Sequence, residues 1–262
     1  MDKLQVTTGW IKSGKHEIYL ERYGTSCQSI VVLLHHGLGS CSAWKGQIPS
    51  LVENGHEVWV YDRWGYGRSS DRPALDPPWF EEDVADLARL LKGTTKPVIL
   101  IGHSDGGNIA MSYALEYPEK VLGLMIVAAH IYLEPKMVTG ILDLKRDYEK
   151  AESVLRAGLQ RRHGEKAVFY RWWSSWESLN PGWDMRPKLA GIRCPVLVVQ
   201  GDKDEHATVK HAQDCAGAIP HSLLWIVENA GHMLPQELPH LFNERMLEFI
   251  GELMVQEEKG VQ

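Results

Sequence analysis

Val98-Ile99-Leu100-Ile101-Gly102-His103-Ser104-Asp105-Gly106-Gly107-Asn108-Ile109-Ala110-Met111 is the stretch of this 262-residue chain that decides its fold. An apolar run with β-branched residues leads into a glycine-flanked serine, and a helical segment, Asn108 to Leu115, follows at once. Gly102 and Gly106 stand two places before and two places after Ser104, where any side chain would collide in a sharp strand-to-helix turn. The reading is a strand, a strained turn that lifts a serine hydroxyl, and a helix. Three fixed residues are a weak motif on their own, so the surrounding chain has to carry the inference.

Working outward, Ile30 to Leu34, Val58 to Tyr61, Leu122 to Val127 and Val196 to Val199 are also continuous apolar runs. Continuous runs, unlike alternating ones, mark strands buried on both faces of a parallel sheet. Helical spacing lies between them at Ala43 to Asn54, Trp79 to Leu91 and Asn108 to Tyr117. Alternating strand and helix predicts an α/β fold with a mostly parallel central sheet flanked by helices. Before it, Glu17 to Tyr23 alternates partially and is expected to pair with Val6 to Ile11. Pro118 is expected to stop the helix behind Ser104, and Gly55 the earlier helix. Pro97 and Pro195 open strands, where a missing donor does little harm.

The rhythm breaks from Ile131 to Leu189, which has no strand-like run but has amphipathic spacing at Val138-Ile141-Leu142 and Val154-Leu155-Leu159. This predicts a helical cap over 131–189, inserted into a core made of 1–130 and 190–255, with a fraying polar tail at 256–262. The insertion carries Phe169-Tyr170-Arg171-Trp172-Trp173-Ser174-Ser175-Trp176 and Trp183. Large rings of this kind either line an apolar cavity or fasten the insertion to the core. Trp172, Trp173 and Trp176 are candidate pocket residues, with at least one expected to face the cavity.

Composition excludes several classes. A net charge of -6 offers no general basic surface for a phosphate backbone, so nucleic acid is not an expected partner. No run of about 18 apolar residues suggests a membrane span, and Met1-Asp2-Lys3-Leu4-Gln5 has no signal-peptide pattern, which points to the cytoplasm by default. Cys27, Cys41, Cys194 and Cys215 are scattered, and the 12 histidines form no metal-ligand pattern. Buried free thiols, no metal and no cofactor are the expectation. Oligomeric state is left open.

Two further segments turn the serine into a mechanism. Gln200-Gly201-Asp202-Lys203-Asp204-Glu205 follows one buried strand, and Asn229-Ala230-Gly231-His232-Met233 follows another apolar run. The order serine, acid, histidine is the one expected with an elbow serine, and the carboxyl edge of an open α/β sheet is where sites are built. His232 would take the Ser104 proton during attack on a carbonyl and return one to the leaving group. Asp204 is the chosen carboxylate to orient it, ahead of Asp202 and Glu205. The backbone amide of Asp105, at a helix N-terminus, is expected to hold the oxyanion with a second amide from His35-His36-Gly37-Leu38-Gly39-Ser40, assigned to Leu38. His36 and His130 are further pocket candidates; Trp44, Asp62 and Arg63 read as structural.

At these positions the chain resembles the alpha/beta hydrolase superfamily, of the type capped by a helical insertion before the acid-bearing strand. The resemblance rests on His36-Gly37, Trp44 with Pro49-Ser50-Leu51, Asp62 to Ser69, Gly102 to Gly107, Gly201 to Asp204 and Gly231-His232. It spans about residues 30 to 235 and implies Ser104, Asp204 and His232 as triad, with the Leu38 and Asp105 amides as oxyanion hole. Haloalkane dehalogenases and epoxide hydrolases of this superfamily would be expected to carry aspartate where this chain has Ser104. The Ser-Asp-Gly-Gly elbow is similar to that of some esterase-like members. The expected function is a cofactor-independent serine hydrolase of a small-molecule ester or thioester with a medium-sized apolar or aromatic part. Alternatives are a carbon-carbon bond hydrolase of a ketone-type substrate, with Arg171 as candidate polar clamp, and a non-catalytic binding module on the same fold.

Overall fold

The computed structural model describes residues 4–25, 29–75 and 80–260. One eight-stranded sheet runs through it in the order β1-β2-β4-β3-β5-β6-β7-β8. β1 (Val6–Ser13) and β2 (His16–Tyr23) form an antiparallel hairpin, and β2 joins β4 (Glu57–Asp62) antiparallel. From there β3 (Ile30–Leu34), β5 (Val98–His103), β6 (Val121–Val127), β7 (Val196–Gly201) and β8 (Ser222–Val227) pair in parallel. All six residues of β5 are buried, the environment that its unbroken apolar run requires.

Helices cover both faces and give each its own core. On one side α2 (Phe80–Leu90) and α3 (Asp105–Glu116) pack over Val32, Leu100 and Leu124. On the other, α1 (Ile48–Glu53) and the last helix, Pro239–Gly260, bury Leu51, Phe242, Met246 and Phe249 against Val31, Ile99 and Met125. The alternation of Val31/Leu33 with Val32/Leu34 between these two cores follows from the two-residue period of a strand. Gly123 is required for the second packing, because a Cβ there would come to 2.2 Å from Leu253 Cδ1.

Between β6 and β7 the chain leaves the sheet for α4 (Pro135–Glu149), α5 (Val154–His163), α6 (Val168–Glu177) and the short α7 (Arg186–Leu189). Its strand-like content is one bridge, Tyr132 to Asp184. α5 is started by Ser153, whose hydroxyl accepts from the Arg156 amide, and stopped at Gly164, where φ is +65°. Arg171 on α6 fastens the insertion to the loop after β4: it donates to the Gly65 carbonyl at 2.5 Å and to the Arg72 carbonyl, and it pairs with Asp71 at 3.1 Å. α8 (Val209–Ala218) then follows β7, and α9 (Leu234–Glu237) precedes the last helix, α10.

Two expectations need correction. Ala43 to Asn54 is not one helix but a 3-10 turn at Cys41–Trp44 and then α1, because the cap of the turn, Ser40, and Pro49 at the start of α1 each begin a separate segment. Residues 256–260, read as part of a polar tail, are helical and continue α10, since each residue added to a docked helix gains a backbone bond without a new nucleus. Trp79 and Cys27 lie outside the described residues, and α2 starts at Phe80. Cys41, Cys194 and Cys215 are buried free thiols. Among the described residues no helix is long and apolar enough to cross a membrane.

Candidate active site

Ser104 sits between β5 and α3 with φ 54° and ψ −120°, a conformation that costs an L-residue about 1–3 kcal/mol. The turn is held by Ser104 N–H donating to the Val127 carbonyl at 2.8 Å and by the Ser104 carbonyl accepting from the Gly107 amide at 2.8 Å. The glycines are sterically obligatory. A Cβ on Gly102 would stand 2.3 Å from the Gly106 carbonyl oxygen, and one on Gly106 would stand 2.2 Å from that of Leu34.

Asp204 is completely buried in the loop after β7. Its Oδ1 accepts the amides of His206 (2.7 Å) and Ala207 (3.1 Å), and its Oδ2 accepts Gln200 Nε2 (2.6 Å) and His232 Nδ1 (2.9 Å). Burial by itself would raise its pKa. The facing His232, together with these donors, outweighs that and holds the carboxyl well below the usual carboxylate range. His232 responds in the opposite sense: burial pushes its imidazole down, and Asp204 more than restores it, leaving it above 6.5.

Two loops must meet for this contact. The Lys203 amide donates to the Ala230 carbonyl at 2.9 Å, and Gly201 permits the approach, since a Cβ there would lie 2.2 Å from that oxygen. The His232 backbone is then gripped from both sides, its N–H donating to Glu205 Oε2 at 3.1 Å and its carbonyl accepting His103 Nε2–H at 2.8 Å. Burial and the neighbouring His232 push the His103 imidazole down to about 3, so it holds that bond as a neutral ring. Asp202 lies apart, paired with Lys203 at 3.3 Å.

Ser104 and His232 both line a cavity of about 270 Å³. No hydrogen bond joins them in this conformation; hydroxyl–imidazole contacts of this type commonly tighten only when substrate is bound. His36, Gly37, Leu38, Asp105 and His130 line the same cavity from the sheet side, and Met137, Ile141, Leu144, Leu155, Leu159, Trp172 and Trp176 line it from the insertion.

Trp173 does not. It faces a separate groove with Val138 and Leu142, under Lys145 Nζ at 3.8 Å. Helical geometry explains the split: Trp173 is turned about 100° from Trp172, while Trp176 lies between them around the helix and borders both spaces. Arg171 is likewise excluded by its contacts with the β4 loop, and the arginine that reaches the cavity is Arg162.

The loop carrying Leu38 is braced on both sides. His35 receives the Arg63 amide on Nε2 (3.1 Å) and donates from Nδ1 to the His36 carbonyl (2.8 Å). The Leu38 carbonyl accepts Arg162 Nη1 at 3.1 Å and His163 Nε2 at 3.2 Å, while His163 Nδ1 accepts the Gly67 amide at 2.9 Å. The Leu38 amide makes one long contact, 3.4 Å, to His36 Nδ1. The Asp105 side chain faces Arg63 at 3.3 Å with both groups buried. Gly37 leaves room for the insertion, since a Cβ on it would stand 2.0 Å from Trp172 Nε1. Arg162 and His163 carried no motif; the one available signal was a basic last turn on α5.

A hydroxyl on a strained elbow, an imidazole and a buried carboxylate, beside two amide-bearing loops, form the set that acyl transfer requires. A profile of the alpha/beta hydrolase family matches residues 31–245. The chain belongs to the alpha/beta hydrolase family. Mouse serine hydrolase BPHL is 28% identical over 254 residues, covering 94% of this chain and 87% of the relative. The human BPHL is 30% identical over 234 residues, covering 84% and 78%.

Among solved structures, an esterase from Exiguobacterium antarcticum superposes with a TM-score of 0.77 at 21% identity, covering 94% of this chain and 100% of that one. An enol-lactonase from Burkholderia xenovorans superposes at 0.75 with 20% identity, covering 93% and 100%. Likeness at that identity establishes the eight-stranded hydrolase fold of this family member.

Proposed function

We propose that this alpha/beta hydrolase is a cofactor-independent serine hydrolase that cleaves a carboxylic ester or thioester through an acyl-enzyme on Ser104. The observation that carries the reading is the 2.9 Å contact between His232 Nδ1 and Asp204 Oδ2, with His232 and Ser104 lining one cavity. Asp204 fixes the imidazole with Nδ1 protonated, which leaves Nε2 to accept the Ser104 proton. The hydroxyl oxygen attacks the substrate carbonyl, and the Leu38 and Asp105 amides receive the oxyanion. Collapse expels the leaving group with a proton from His232, and a water repeats the cycle on the acyl-enzyme. For its amide to serve, Leu38 has to exchange its long bond to His36 for the substrate oxygen, a small loss for a contact of 3.4 Å.

The insertion is proposed to act as the cap over the core. A volume of about 270 Å³, walled largely by Met, Leu, Ile and Trp side chains, suits a small to medium apolar group. Carbon-carbon hydrolysis loses support because Arg171 is committed to Gly65, Arg72 and Asp71. The test is turnover of p-nitrophenyl esters of increasing acyl length by native protein and by Ser104→Ala. Loss of turnover of about 10⁴-fold or more in the variant is expected. Equal turnover by the two proteins would overturn the reading.

A further inference from the structure

His130 stands at the carboxyl end of β6, is 4% exposed and lines the cavity beside Ser104 and His232. Its ring lies nearly parallel to that of His232, 13° apart in plane with centroids 6.0 Å apart, and edge-on to Trp176 at 5.7 Å. Yet Nδ1 has no hydrogen-bond partner among the described residues, and no bond from the ring to another described residue occurs. Four other buried imidazoles are committed: His35, His103 and His163 to backbone groups, and His211 Nε2 to the Ile131 amide at 2.8 Å. His206, which lines the same cavity, also leaves Nδ1 without a partner among the described residues, but its Nε2 lies 3.9 Å from the Glu205 carboxylate, whereas the His130 ring has no such neighbour. A buried polar group without a partner is costly, which makes the open His130 ring informative.

The position of His130 is fixed without using its ring. The Asn108 side chain grips the His130 backbone on both groups, donating from Nδ2 to its carbonyl and accepting its N–H on Oδ1 at 3.4 Å. The imidazole is thereby presented to the cavity with its hydrogen-bonding capacity intact. Burial and the adjacent His232 keep it neutral, so it offers one N–H and one lone pair.

We propose that His130 is a specificity-determining contact of this site, binding an uncharged oxygen function, a hydroxyl or keto group, on the acyl part of the substrate. This rests on the serine hydrolase reading above. At His130 an anionic group is disfavoured because it would sit near buried Asp204 and require a charged His130 beside His232; the cation of this cavity, Arg162, belongs to the insertion and bonds the Leu38 carbonyl. A cationic group would oppose the imidazolium that forms on His232 during attack. The rest of the wall, Met137, Ile141 and Leu144 among it, is apolar and accommodates the carbon chain.

The test compares phenyl hexanoate with its 2-hydroxy, 3-hydroxy and 5-oxo counterparts, in native protein and in His130→Phe and His130→Asn, with folding of each followed by thermal melting. Native protein is expected to favour at least one oxygenated ester by about tenfold in kcat/KM. His130→Phe should reduce that ratio to within about twofold, the ratio being read within each protein so that any change on the plain ester cancels, and His130→Asn, which keeps a shorter polar arm, should give an intermediate ratio. If native protein shows no preference, or the preference survives in both variants, the assignment is overturned. Labelling of Ser104 by a fluorophosphonate in the same samples separates the two ideas: labelled protein with an unaltered ratio removes only the His130 assignment, whereas absent labelling and turnover in native protein remove the hydrolase reading too.

Discussion

The sheet-edge loops and the helical insertion face each other across one cavity, and they are held by different physics. On the sheet side, Asp204 makes four hydrogen bonds and is fully buried, and the His232 backbone is bonded at both N–H and C=O. On the insertion side the cavity wall is mostly apolar, and the polar ties to the core lie largely around its rim: Arg162 and His163 to Leu38, Lys166 and His163 to Gly67, Arg171 to the loop after β4, Glu134 to Thr208, Tyr132 to Asp214 and the Ile131 amide to His211. Hydrogen bonds are directional and fix a geometry to fractions of an ångström, whereas apolar burial fixes little beyond contact. The comparison assigns chemistry to the rigid side and substrate shape to the other.

The largest effect expected on the sheet side after loss of Ser104 is Asp204→Asn. It retains volume but cannot accept both amides and the His232 Nδ1 proton, so kcat should fall by about 10³- to 10⁴-fold. Single-turnover kinetics with a p-nitrophenyl ester reads the loss directly. A fall of less than about tenfold would mean that another carboxylate orients His232, and would break the division between the two regions at its strongest point.

The same contact makes a statement about pH. Asp204 raises the His232 imidazole above 6.5, and only the neutral ring can accept the serine proton. The value of kcat/KM should therefore fall toward acid with a midpoint above 6.5, and the midpoint should move down in Asp204→Asn. Stability follows a different limb. Burial lowers His103 to about 3 and His163 to about 4, so the unfolded chain binds protons that the native state refuses. Groups depressed in this way contribute stability that is full above about 6.5 and is lost as pH falls toward their folded values. Urea melts between pH 7.5 and 5 should show a loss of order 1 kcal/mol or more per pH unit, partly offset by His232, whose raised value acts with the opposite sign. A flat profile would mean that these histidines are open to solvent.

How much of this was legible before folding divides along the same line. The turn at Ser104 was readable because its cause is local: Gly102 and Gly106 are demanded by carbonyl oxygens a few residues or one strand away. The buried run of β7 and Gly201 mark the loop that carries both Asp202 and Asp204, but what separates the two is the 2.9 Å contact of Asp204 with His232, made across 28 residues. The braces on Leu38 were not readable, because Arg162 and His163 reach it across more than 120 residues from a helix whose position depends on apolar packing. Arg171 illustrates the difficulty, since nothing in its neighbourhood distinguishes a cavity residue from a staple. The two faces of α6 were readable in part, because adjacent Trp172 and Trp173 point about 100° apart on a helix, whereas Trp176 borders both spaces.

On the insertion side the effects should be smaller and of another kind. His163 joins the two halves of the molecule through both ring nitrogens, donating to the Leu38 carbonyl and accepting from Gly67. Arg162 reaches the same carbonyl, and its charge has no carboxylate within ion-pair distance among the described residues. Removing one brace leaves the other, so His163→Ala should lower kcat by about three- to tenfold by loosening the loop that carries the Leu38 amide, with KM for a short ester changed less. The double change with Arg162→Met should exceed the product of the single effects, because the second removal frees a carbonyl that the first left held. Additive losses in kcat, or losses confined to KM, would mean that the insertion shapes the cavity without positioning the oxyanion loop, and the boundary between chemistry and shape would then fall at α5 rather than across it.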